Sequence, residues 1–345
     1  MNKIRLGIIG LGYIGKVHAE ALRKIEDCDL VAVCDADEKN KSAAEALETG
    51  YYRDYQEMIQ KEKLDGAVLA LPNNLHASVG IECIKKGLHL LIEKPITTDL
   101  AEADLLIEEA GKNGIQILVG HHRRFSPLVE MTRKVIAEGG IGKLIGVSMF
   151  FALLKPPEYF QSWKAIEGGG PILMNLIHDI DNLRYICGDV TRVYAEVGHK
   201  GRGLKVEDSA SIVLRMENGA LANVFLSDCV PANTSYEGTT GENPNFFNSP
   251  ANCYHFFGTE ASILFPQMKK LSYPDSSKVG WEFPIFEEEI KVTREDPITR
   301  ELRHFCKVVA GEEAPRTSAV DGRRTLEVIL AVKKSAEAGQ PISLG

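Results

Sequence analysis

A short motif near the start of the chain is rich in glycine. Residues 10–15 read G-L-G-Y-I-G, directly after a β-rich run and before a helical stretch. In this setting the first glycine allows a tight turn, the second lets backbone N–H groups approach a pyrophosphate, and the third lets the helix pack closely on the strand. The motif therefore predicts a dinucleotide site formed by Gly10, Gly12, Tyr13, Ile14 and Gly15.

A carboxylate ends the second β-rich run. Asp35 follows Gly15 by twenty residues, and from that position a carboxylate can accept hydrogen bonds from both hydroxyls of an adenosine ribose. Asp37 adds a second negative charge, and no arginine or lysine follows before Lys39. Because these charges would repel a 2′-phosphate, the sequence favours NAD over NADP.

Polar residues also follow two later β-rich runs of the first 120 residues. They are Pro72, Asn73, His76, Glu93 and Lys94. In an open parallel sheet the ligand binds outside the carboxyl ends of the strands, so these residues are predicted to border the nicotinamide half of the dinucleotide. The backbone of Lys94 is restricted by Pro95. A lysine held beside a cationic nicotinamide is a candidate acid or base.

A second group of polar residues recurs along a predicted helix over 171–186. Asn175, His178 and Asn182 stand at i, i+3 and i+7, on a different face from an apolar stripe. Such a polar face is suited to lining a cleft, although a histidine on a helix is more often structural than catalytic. His18, three residues after Gly15, fits a packing role as readily as a catalytic one.

The elements that must position these residues differ between two parts of the chain. Residues 1–120 alternate β-rich runs with amphipathic helical stretches, which is typical of βαβ units and a parallel sheet. From residue 121 the apolar period is mostly two, which predicts an antiparallel sheet. We expect a dinucleotide-binding domain over 1–120 and a substrate-binding and oligomerisation domain over 121–345. Because helices cover one side of such a sheet, pairing of the other side predicts a homodimer or homotetramer.

Composition limits the classes of protein that need to be considered. The chain has 345 residues, 44% hydrophobic and 26% charged, as expected for a soluble protein of two globular domains. A net charge of −8 without a dense basic run disfavours nucleic acid. No stretch approaches the roughly 18–20 apolar residues of a membrane span and no signal peptide is evident, so we expect a cytoplasmic protein. Seven scattered cysteines without a C-x-x-C pair predict reduced thiols, with neither disulfides nor zinc.

Several of these motifs together resemble the Gfo/Idh/MocA family, which includes glucose-fructose oxidoreductase and inositol dehydrogenases. The resemblance covers almost the whole chain. It implies a Rossmann domain with a doubly wound parallel sheet, followed by an α+β domain with a large, open, mostly antiparallel sheet. It also implies NAD(P)-dependent oxidation or reduction of a sugar, cyclitol or related polyol. The motifs are the glycine motif, Pro72-Asn73-x-x-His76, Glu93-Lys94-Pro95, G-H-H-R-R-F-S-P over 120–127, and the glycines at 168–170 followed by His178-Asp179-Ile180-Asp181.

The resemblance assigns chemistry to particular residues. It implies that His178 works with Lys94 as a catalytic pair. Many members carry an aspartate four residues before this histidine, where the present chain has Met174. The usual lysine–aspartate–histidine relay is therefore incomplete, and Asn175 is predicted to supply hydrogen bonds without proton transfer. The predicted substrate contacts are Lys94, Arg124, Trp163, Asn175, His178 and Tyr236.

Three functions remain open from the sequence. The leading one is an NAD-dependent dehydrogenase of a sugar or cyclitol. The second is a lyase or glycosidase that retains its NAD and oxidises the sugar only transiently, so that no NADH accumulates. The third is a cofactor-sensing binding protein without catalysis. The presence of Glu93-Lys94-Pro95 and His178 argues against the third function, whereas Met174 argues weakly for it.

Overall fold

A computed structural model describes residues 3–160 and 169–345 of the chain. The first 125 residues alternate short strands with helices, as their apolar pattern predicts. In chain order these elements are β1 (Ile4–Ile9), α1 (Tyr13–Leu22), β2 (Cys28–Cys34), α2 (Lys41–Ala46), β3 (Gly50–Tyr52), α3 (Tyr55–Lys61), β4 (Gly66–Leu69), α4 (His76–Lys85), β5 (His89–Glu93), α5 (Leu100–Asn113) and β6 (Ile117–Gly120).

The rest of the chain is dominated by strands. No helix within the two described ranges combines the length and apolar composition needed to cross a bilayer. The elements are α6 (Pro127–Ala137), β7 (Leu144–Leu154), a π-helical turn (Ile172–Leu176), α7 (Ile177–Cys187), β8 (Val190–Gly198), β9 (Ser209–Met216), β10 (Leu221–Ser227), β11 (Cys229–Thr234), α8 (Tyr236–Thr240), β12 (Tyr254–Gly258), β13 (Ala261–Phe265), β14 (Lys269–Ser272), β15 (Phe286–Glu289), α9 (Pro297–Val309), α10 (Ala319–Ala338) and β16 (Ile342–Ser343).

The first sheet has six strands in the order β3-β2-β1-β4-β5-β6. All five strand pairs are parallel, and β4 is buried along its whole length. Burial on both faces explains why these strands are nearly continuous apolar runs. The predicted parallel, doubly wound sheet is confirmed, and the carboxyl ends of all six strands lie at one edge.

The second sheet has ten strands. Its path is β15-β14-β13-β12-β7-β10-β9-β8-β16, and β11 also pairs with β7. Among the strand pairs formed by residues 3–160 and 169–345, only that of β7 with β10 is parallel in this sheet, so the prediction of a mostly antiparallel sheet is confirmed. Buried and exposed residues alternate along β9 and β10, because one face of the sheet packs on the core.

Contacts within the chain define two compact units. One comprises Met1–Phe125 and Asp296–Leu326, and the other comprises Ser126–Glu295 and Glu327–Gly345. This division differs from the single predicted cut between residues 120 and 121. The hydroxyl of Thr317 donates to the backbone oxygen of Val119 at 2.7 Å, and Leu302 and Phe305 of α9 belong to the core of the first unit. The segment Asp296–Leu326 belongs to the predicted second domain by its position in the sequence, but it packs with the first unit.

Candidate active site

Glycine is required at two positions of the turn between β1 and α1. Gly10 has a φ of +100°, and a Cβ there would lie 2.3 Å from the backbone oxygen of Ala70. A Cβ on Gly15 would lie 2.0 Å from the backbone oxygen of Gly10. Because both close contacts are to backbone atoms, a larger residue at either position would displace the turn or the helix.

The remaining glycine of the motif leaves room for a ligand. A Cβ on Gly12 would meet no atom within 4 Å, and Gly12 precedes α1 without a side-chain cap. The first N–H groups of a helix lack intrahelical partners and bind anionic groups. Tyr13 is 68% exposed and Ile14 is half-buried at the same helix start. The turn therefore fits the pyrophosphate of a dinucleotide.

Asp35 lies beside this turn, directly after β2. One oxygen of its carboxylate accepts a hydrogen bond from the backbone N–H of Leu11 at 2.7 Å, and the other accepts from that of Asp37 at 2.8 Å. An ionised carboxylate has about four acceptor sites, so capacity for ribose hydroxyls remains. The bond to Leu11 holds the carboxylate against the glycine turn, which suits one bound nucleotide.

The residues after β4 differ in accessibility. Pro72 is exposed and Asn73 is half-buried. His76 is fully buried, with Nδ1 2.9 Å from the backbone oxygen of Pro95 and Nε2 3.0 Å from that of Leu71. Burial lowers the pKa of His76. Both ring nitrogens are engaged in joining the segments after β4 and β5, so the cofactor contact predicted for His76 is not supported.

Glu93, the last residue of β5, forms a buried pair with His18 of α1. Nε2 of His18 lies 2.7 Å from Oε1 of Glu93, and both side chains are almost wholly buried. Burial alone would raise the pKa of Glu93, but the hydrogen bond from His18 and the charge of Lys94 help to lower it to about 2. Glu93 is therefore ionised at neutral pH, and His18 has a structural partner rather than an exposed catalytic position.

Lys94 is held by its neighbour. Its backbone N–H donates to Oε2 of Glu93 at 3.2 Å, and the following Lys94–Pro95 peptide is cis. Opposite Glu93 in β6, a Cβ on Gly120 would lie 3.1 Å from the Glu93 carboxyl group. Gly120 thus leaves space for the carboxylate, and Lys94 is half-buried at the edge where the strands end.

In the second unit, the predicted regular helix over 171–186 begins instead with a π-helical turn at Ile172–Leu176. Such turns occur frequently at functional sites. The backbone N–H of Ile172 donates to Oε1 of Glu207 at 2.9 Å, and a Cβ on Gly170 would lie 2.2 Å from the same oxygen. Gly170 therefore admits the carboxylate that satisfies the start of this helix.

The polar row of the helix is accessible over only part of its length. Asn175 is half-buried and His178 is 8% exposed. Asn182 is fully buried, and neither of its amide atoms forms a hydrogen bond within the described part of the chain. The neighbouring Asp179 accepts a hydrogen bond from the hydroxyl of Tyr254. Asn175 and His178 are thus the members of the row able to meet a ligand.

One residue that the sequence did not single out contacts this row. Nζ of Lys155 donates to Oδ1 of Asn175 at 2.6 Å and lies 3.2 Å from Oδ2 of the buried Asp228. Lys155 comes directly after the alternating strand β7 and before two prolines, a position resembling that of Lys94 after β5. That placement is the signal by which the sequence could have identified it.

Two residues that are predicted to contact the substrate have buried side chains. Arg124 lies inside the first unit, with Nη1 3.3 Å from the backbone oxygen of Arg316 and 3.5 Å from Oδ1 of Asp321. Tyr236 is 3% exposed and donates its hydroxyl to Glu242 at 2.6 Å. Both side chains are buried by other protein groups, and their contacts with a substrate stay predictions. Trp163 lies outside the described residues.

Comparison with known families gives two matches along the chain. Residues 4–121 match the model for an oxidoreductase family with an NAD-binding Rossmann fold, GFO_IDH_MocA. Residues 129–264 match the model for the GFO/IDH/MocA C-terminal domain. The first match covers the glycine motif, Asp35 and Lys94, and the second covers Lys155, Asn175 and His178.

Curated relatives are similar over nearly their full length. The myo-inositol 2-dehydrogenase of Thermotoga maritima is 28% identical over 99% of this chain and 98% of its own. The scyllo-inositol 2-dehydrogenase (NAD(+)) of Bacillus subtilis is 26% identical over 99% and 97%. A 2,7-anhydro-N-acetylneuraminate hydratase of Mediterraneibacter gnavus is 27% identical over 62% of this chain and 58% of its own.

Solved structures share the architecture. An oxidoreductase from Agrobacterium radiobacter, in complex with NAD+, L-tartaric acid and magnesium, superposes with a TM-score of 0.83 at 19% identity, covering 99% of this chain and 98% of its own. The WlbA dehydrogenase from Bordetella pertussis, in complex with NADH and UDP-GlcNAcA, gives 0.80 at 22% identity, covering 100% and 99%. With both domain models matched in order and relatives aligned end to end, the chain belongs to the Gfo/Idh/MocA family of oxidoreductases, whose N-terminal Rossmann fold binds NAD.

Proposed function

We propose that the protein is an NAD-dependent dehydrogenase or reductase that transfers a hydride between nicotinamide and a hydroxyl-bearing carbon of a sugar, cyclitol or sugar derivative. One observation carries this proposal. The nucleotide turn after β1, Asp35 after β2 and Lys94 after β5 share one edge of a single parallel sheet. The inositol dehydrogenases among the relatives support the substrate class.

The residues of the first unit divide the work of binding the cofactor. The N–H groups that begin α1 receive the pyrophosphate, and Asp35 receives the ribose hydroxyls. The cofactor is also contacted by Tyr13, Ile14, Pro72 and Asn73. NAD, when bound, supplies the acceptor for the hydride. Glu93 and His76 act indirectly, since they hold the backbone on either side of Lys94.

Lys94 and His178 are proposed as the catalytic groups. Nζ of Lys94 takes or returns the proton of the reacting hydroxyl, and the imidazole of His178 moves or polarises that proton. Asn175 binds a substrate oxygen but cannot titrate at neutral pH. The side chain of Met174 accepts a weak hydrogen bond from the hydroxyl of Tyr159 at 3.9 Å and carries no proton, so the relay contains no carboxylate at that position.

A panel of substrates tests the proposal. The purified protein is mixed with NAD+ and, separately, with myo-inositol, scyllo-inositol, D-glucose and D-glucuronate, and NADH is followed by absorbance. We expect NADH to form with at least one of these polyols or a close analogue, and faster with NAD+ than with NADP+. Bound NAD+ without reduction by any polyol in a widened panel would contradict a dehydrogenase.

A second function has one specific observation in its favour. The relative from Mediterraneibacter gnavus is named a hydratase, so the same family fold occurs in a protein that is not named for net oxidation. If this chain oxidises its substrate only transiently, product will form while the NADH concentration stays constant. Product analysis of the same panel separates the two functions. Ligand binding without any product would instead indicate the binding protein that Met174 weakly suggests.

We further propose that the protein is a cytoplasmic homodimer or homotetramer. The exposed face of the second sheet carries apolar side chains on β9, β10 and β12, including Val213, Phe225 and Phe257. An apolar face of this kind is stabilised when a second copy covers it. Light scattering should give a multiple of the 38.0 kDa chain mass, and a stable monomer at micromolar concentration would contradict the proposal. The net charge of −8 supports the absence of a nucleic-acid partner.

A further inference from the structure

A buried charge cluster in the second unit surrounds Lys155. The Lys155 side chain is 10% exposed, and the Asp228 side chain beside it is fully buried. Arg202 donates to a carboxylate oxygen and to the backbone oxygen of the same Asp228. The backbone N–H of Lys155 also donates to the backbone oxygen of Asp228, at 3.0 Å. These contacts fix the position of Lys155 on both its backbone and its side chain.

Aromatic rings form the other wall of the cluster. Nζ of Lys155 lies 4.6 Å from the centre of the Tyr159 ring, and the Arg202 guanidinium lies 3.9 Å from the centre of the Phe160 ring. Lys155, Phe160 and Arg202 line an open groove of about 690 Å³. A lysine packed in this way loses much of the side-chain freedom it has at a surface, so its three N–H donors keep fixed directions.

The contact with Asn175 determines which way that amide faces. A lysine ammonium group donates hydrogen bonds and accepts none. Burial lowers the pKa of Lys155, and the Asp228 carboxylate 3.2 Å away opposes that shift by stabilising the ammonium form. The atom of Asn175 that meets Lys155 must therefore be the carbonyl oxygen, as the 2.6 Å contact with Oδ1 shows. The amide NH2 group of Asn175 is turned away from Lys155 and keeps two donors for other partners.

The neighbours of Asn175 indicate where those donors act. Asn175 lies in the π-helical turn that leads into α7, and His178 lies in the first turn of α7, so the two residues are within one helical turn of each other. Asn175 is half-buried, and no hydrogen bond to its Nδ2 is formed within the described part of the chain. Asn175 thus offers donors beside the histidine of the proposed reaction, whereas an ionised aspartate, the residue many family members carry nearby, only accepts hydrogen bonds.

We propose that Lys155 is a positioning residue, which locks the amide of Asn175 so that its NH2 group donates to an acceptor-only oxygen of the substrate. The oxygen belongs to a ketone or a carboxylate next to the reacting carbon, so the preferred substrates are oxo or acid derivatives of sugars or cyclitols. This inference rests on the proposed function, since it concerns the substrate of that reaction. Asp228 and Arg202 support Lys155 and do not contact the substrate themselves.

Matched probes test the substrate preference. D-glucuronate is compared with D-glucose, and 2-keto-myo-inositol with myo-inositol. All four are tested as oxidation substrates with NAD+, so that the added carboxylate or ketone is not itself the reacting group. In the wild-type protein the acceptor-bearing member of at least one pair should have a KM about tenfold lower than its partner. A tenfold ratio is the difference in affinity expected from roughly one additional hydrogen bond. A lower KM for D-glucuronate than for D-glucose would identify a carboxylate, and a lower KM for 2-keto-myo-inositol than for myo-inositol would identify a ketone. Equal or higher KM for both acceptor-bearing members overturns the preference.

Three variants test the role of Lys155. Lys155→Met should raise KM about tenfold while kcat changes less than about threefold, because the amide is free to rotate but the reacting groups are intact. Lys155→Arg, which restores donors, should recover most of that loss. Asn175→Asp should lower kcat/KM for the acceptor-bearing probe by about 30-fold or more, because an acceptor then faces an acceptor. Lys334→Met, on the exposed side of α10, is the control, and all four variants should bind NAD+ like the wild type.

A measurement without turnover separates this inference from the proposed function. In protein labelled with heavy nitrogen at asparagine, the NH2 signal of Asn175 is identified by its loss in Asn175→Asp. That signal should shift and exchange faster with water in Lys155→Met, and should remain unchanged in Lys334→Met. A signal unaffected by Lys155→Met overturns the positioning role. If the signal shifts in Lys155→Met but the wild-type protein neither oxidises nor reduces any probe, the positioning role of Lys155 is supported. Only the dehydrogenase function is then contradicted.

Discussion

The two units of the chain assemble their polar groups in different ways. In the first unit, Gly12, Asp35 and Lys94 each follow the end of a parallel strand, so one sheet edge collects them. In the second unit, Lys155 and Asn175 come from the end of β7 and from a π-helical turn, and the supporting Asp228 lies between β10 and β11. Strand ends organise the first group, and buried charge pairing organises the second.

This difference predicts which property of the protein a substitution in each unit should alter. A group at the end of a parallel strand is positioned first by backbone pairing that extends through the whole sheet, and neighbouring side chains such as Glu93 and His76 add to that placement. The direction of Asn175 depends on a single buried lysine and on the carboxylate that holds it. We therefore expect substitutions in the first unit to affect cofactor binding or turnover separately, and substitutions of Lys155 or Asn175 in the second to alter substrate preference.

The largest expected effect comes from removing the proposed proton-transfer group. Lys94→Ala should lower turnover by roughly 10²–10⁴-fold while changing NAD+ affinity about twofold or less, because the amine acts on the substrate proton. Steady-state kinetics and a cofactor titration measure both quantities. Lys86→Ala, on the exposed end of α4, is the control. Equal turnover in wild type and Lys94→Ala would remove Lys94 from the mechanism.

A smaller loss is expected at the helix of the second unit. His178→Ala should reduce turnover by about 10²-fold, because we propose that His178, with Met174 in place of a carboxylate one turn earlier, shares proton transfer with Lys94. The shape of the pH–rate profile should also change. His199→Ala, at an exposed position beyond β8, should leave both readouts unchanged. An unaltered pH profile in His178→Ala would place the titrating group elsewhere.

Cofactor choice should respond to the carboxylate after β2. The double substitution Asp35→Ser with Ala36→Arg should weaken NAD+ binding about tenfold and strengthen NADP+ binding, because it removes the ribose acceptor and adds a partner for the 2′-phosphate. Titration of the protein with each cofactor measures the ratio. Asp27→Ser, exposed before β2, provides the control, and an unchanged preference in the double variant would show that Asp35 does not contact the ribose.

The sequence predicted the first unit more completely than the second, for a physical reason. Gly15 is required by its contact with Gly10 five residues earlier, and Gly10 by its own positive φ, so the local motif predicts both directly. Arg124 and Tyr236 look like surface polar groups in the sequence, and only tertiary packing shows that both are buried. The pairing of Lys155 with Asp228 joins two segments that no local pattern connects, and the π-helical turn departs from the period of 3.6 residues on which helix prediction depends.

A separate effect, on stability rather than on activity, is expected in acid. The pKa of Glu93 is lowered from 4.5 to about 2, so its stabilising contribution is complete above about pH 4.5 and is lost as the pH falls through about 2. The free energy of unfolding should lose up to about 3 kcal/mol from this group over that range. In Glu93→Gln this component should be absent, whereas Glu20→Gln, exposed on α1, should behave like the wild type. Parallel acid-unfolding curves for wild type and Glu93→Gln would show that the His18 pair contributes nothing.

The transfer of hydride itself is the central claim, and isotope labelling tests it most directly. A polyol that reacts in the panel is prepared with deuterium on its reacting carbon and incubated with NAD+. The mass of the NADH that forms is then measured by mass spectrometry. We predict NADH heavier by the mass of one deuterium in place of hydrogen, in an amount equal to the oxidised polyol. Product without labelled NADH, or NADH without the label, would contradict net hydride transfer from that carbon.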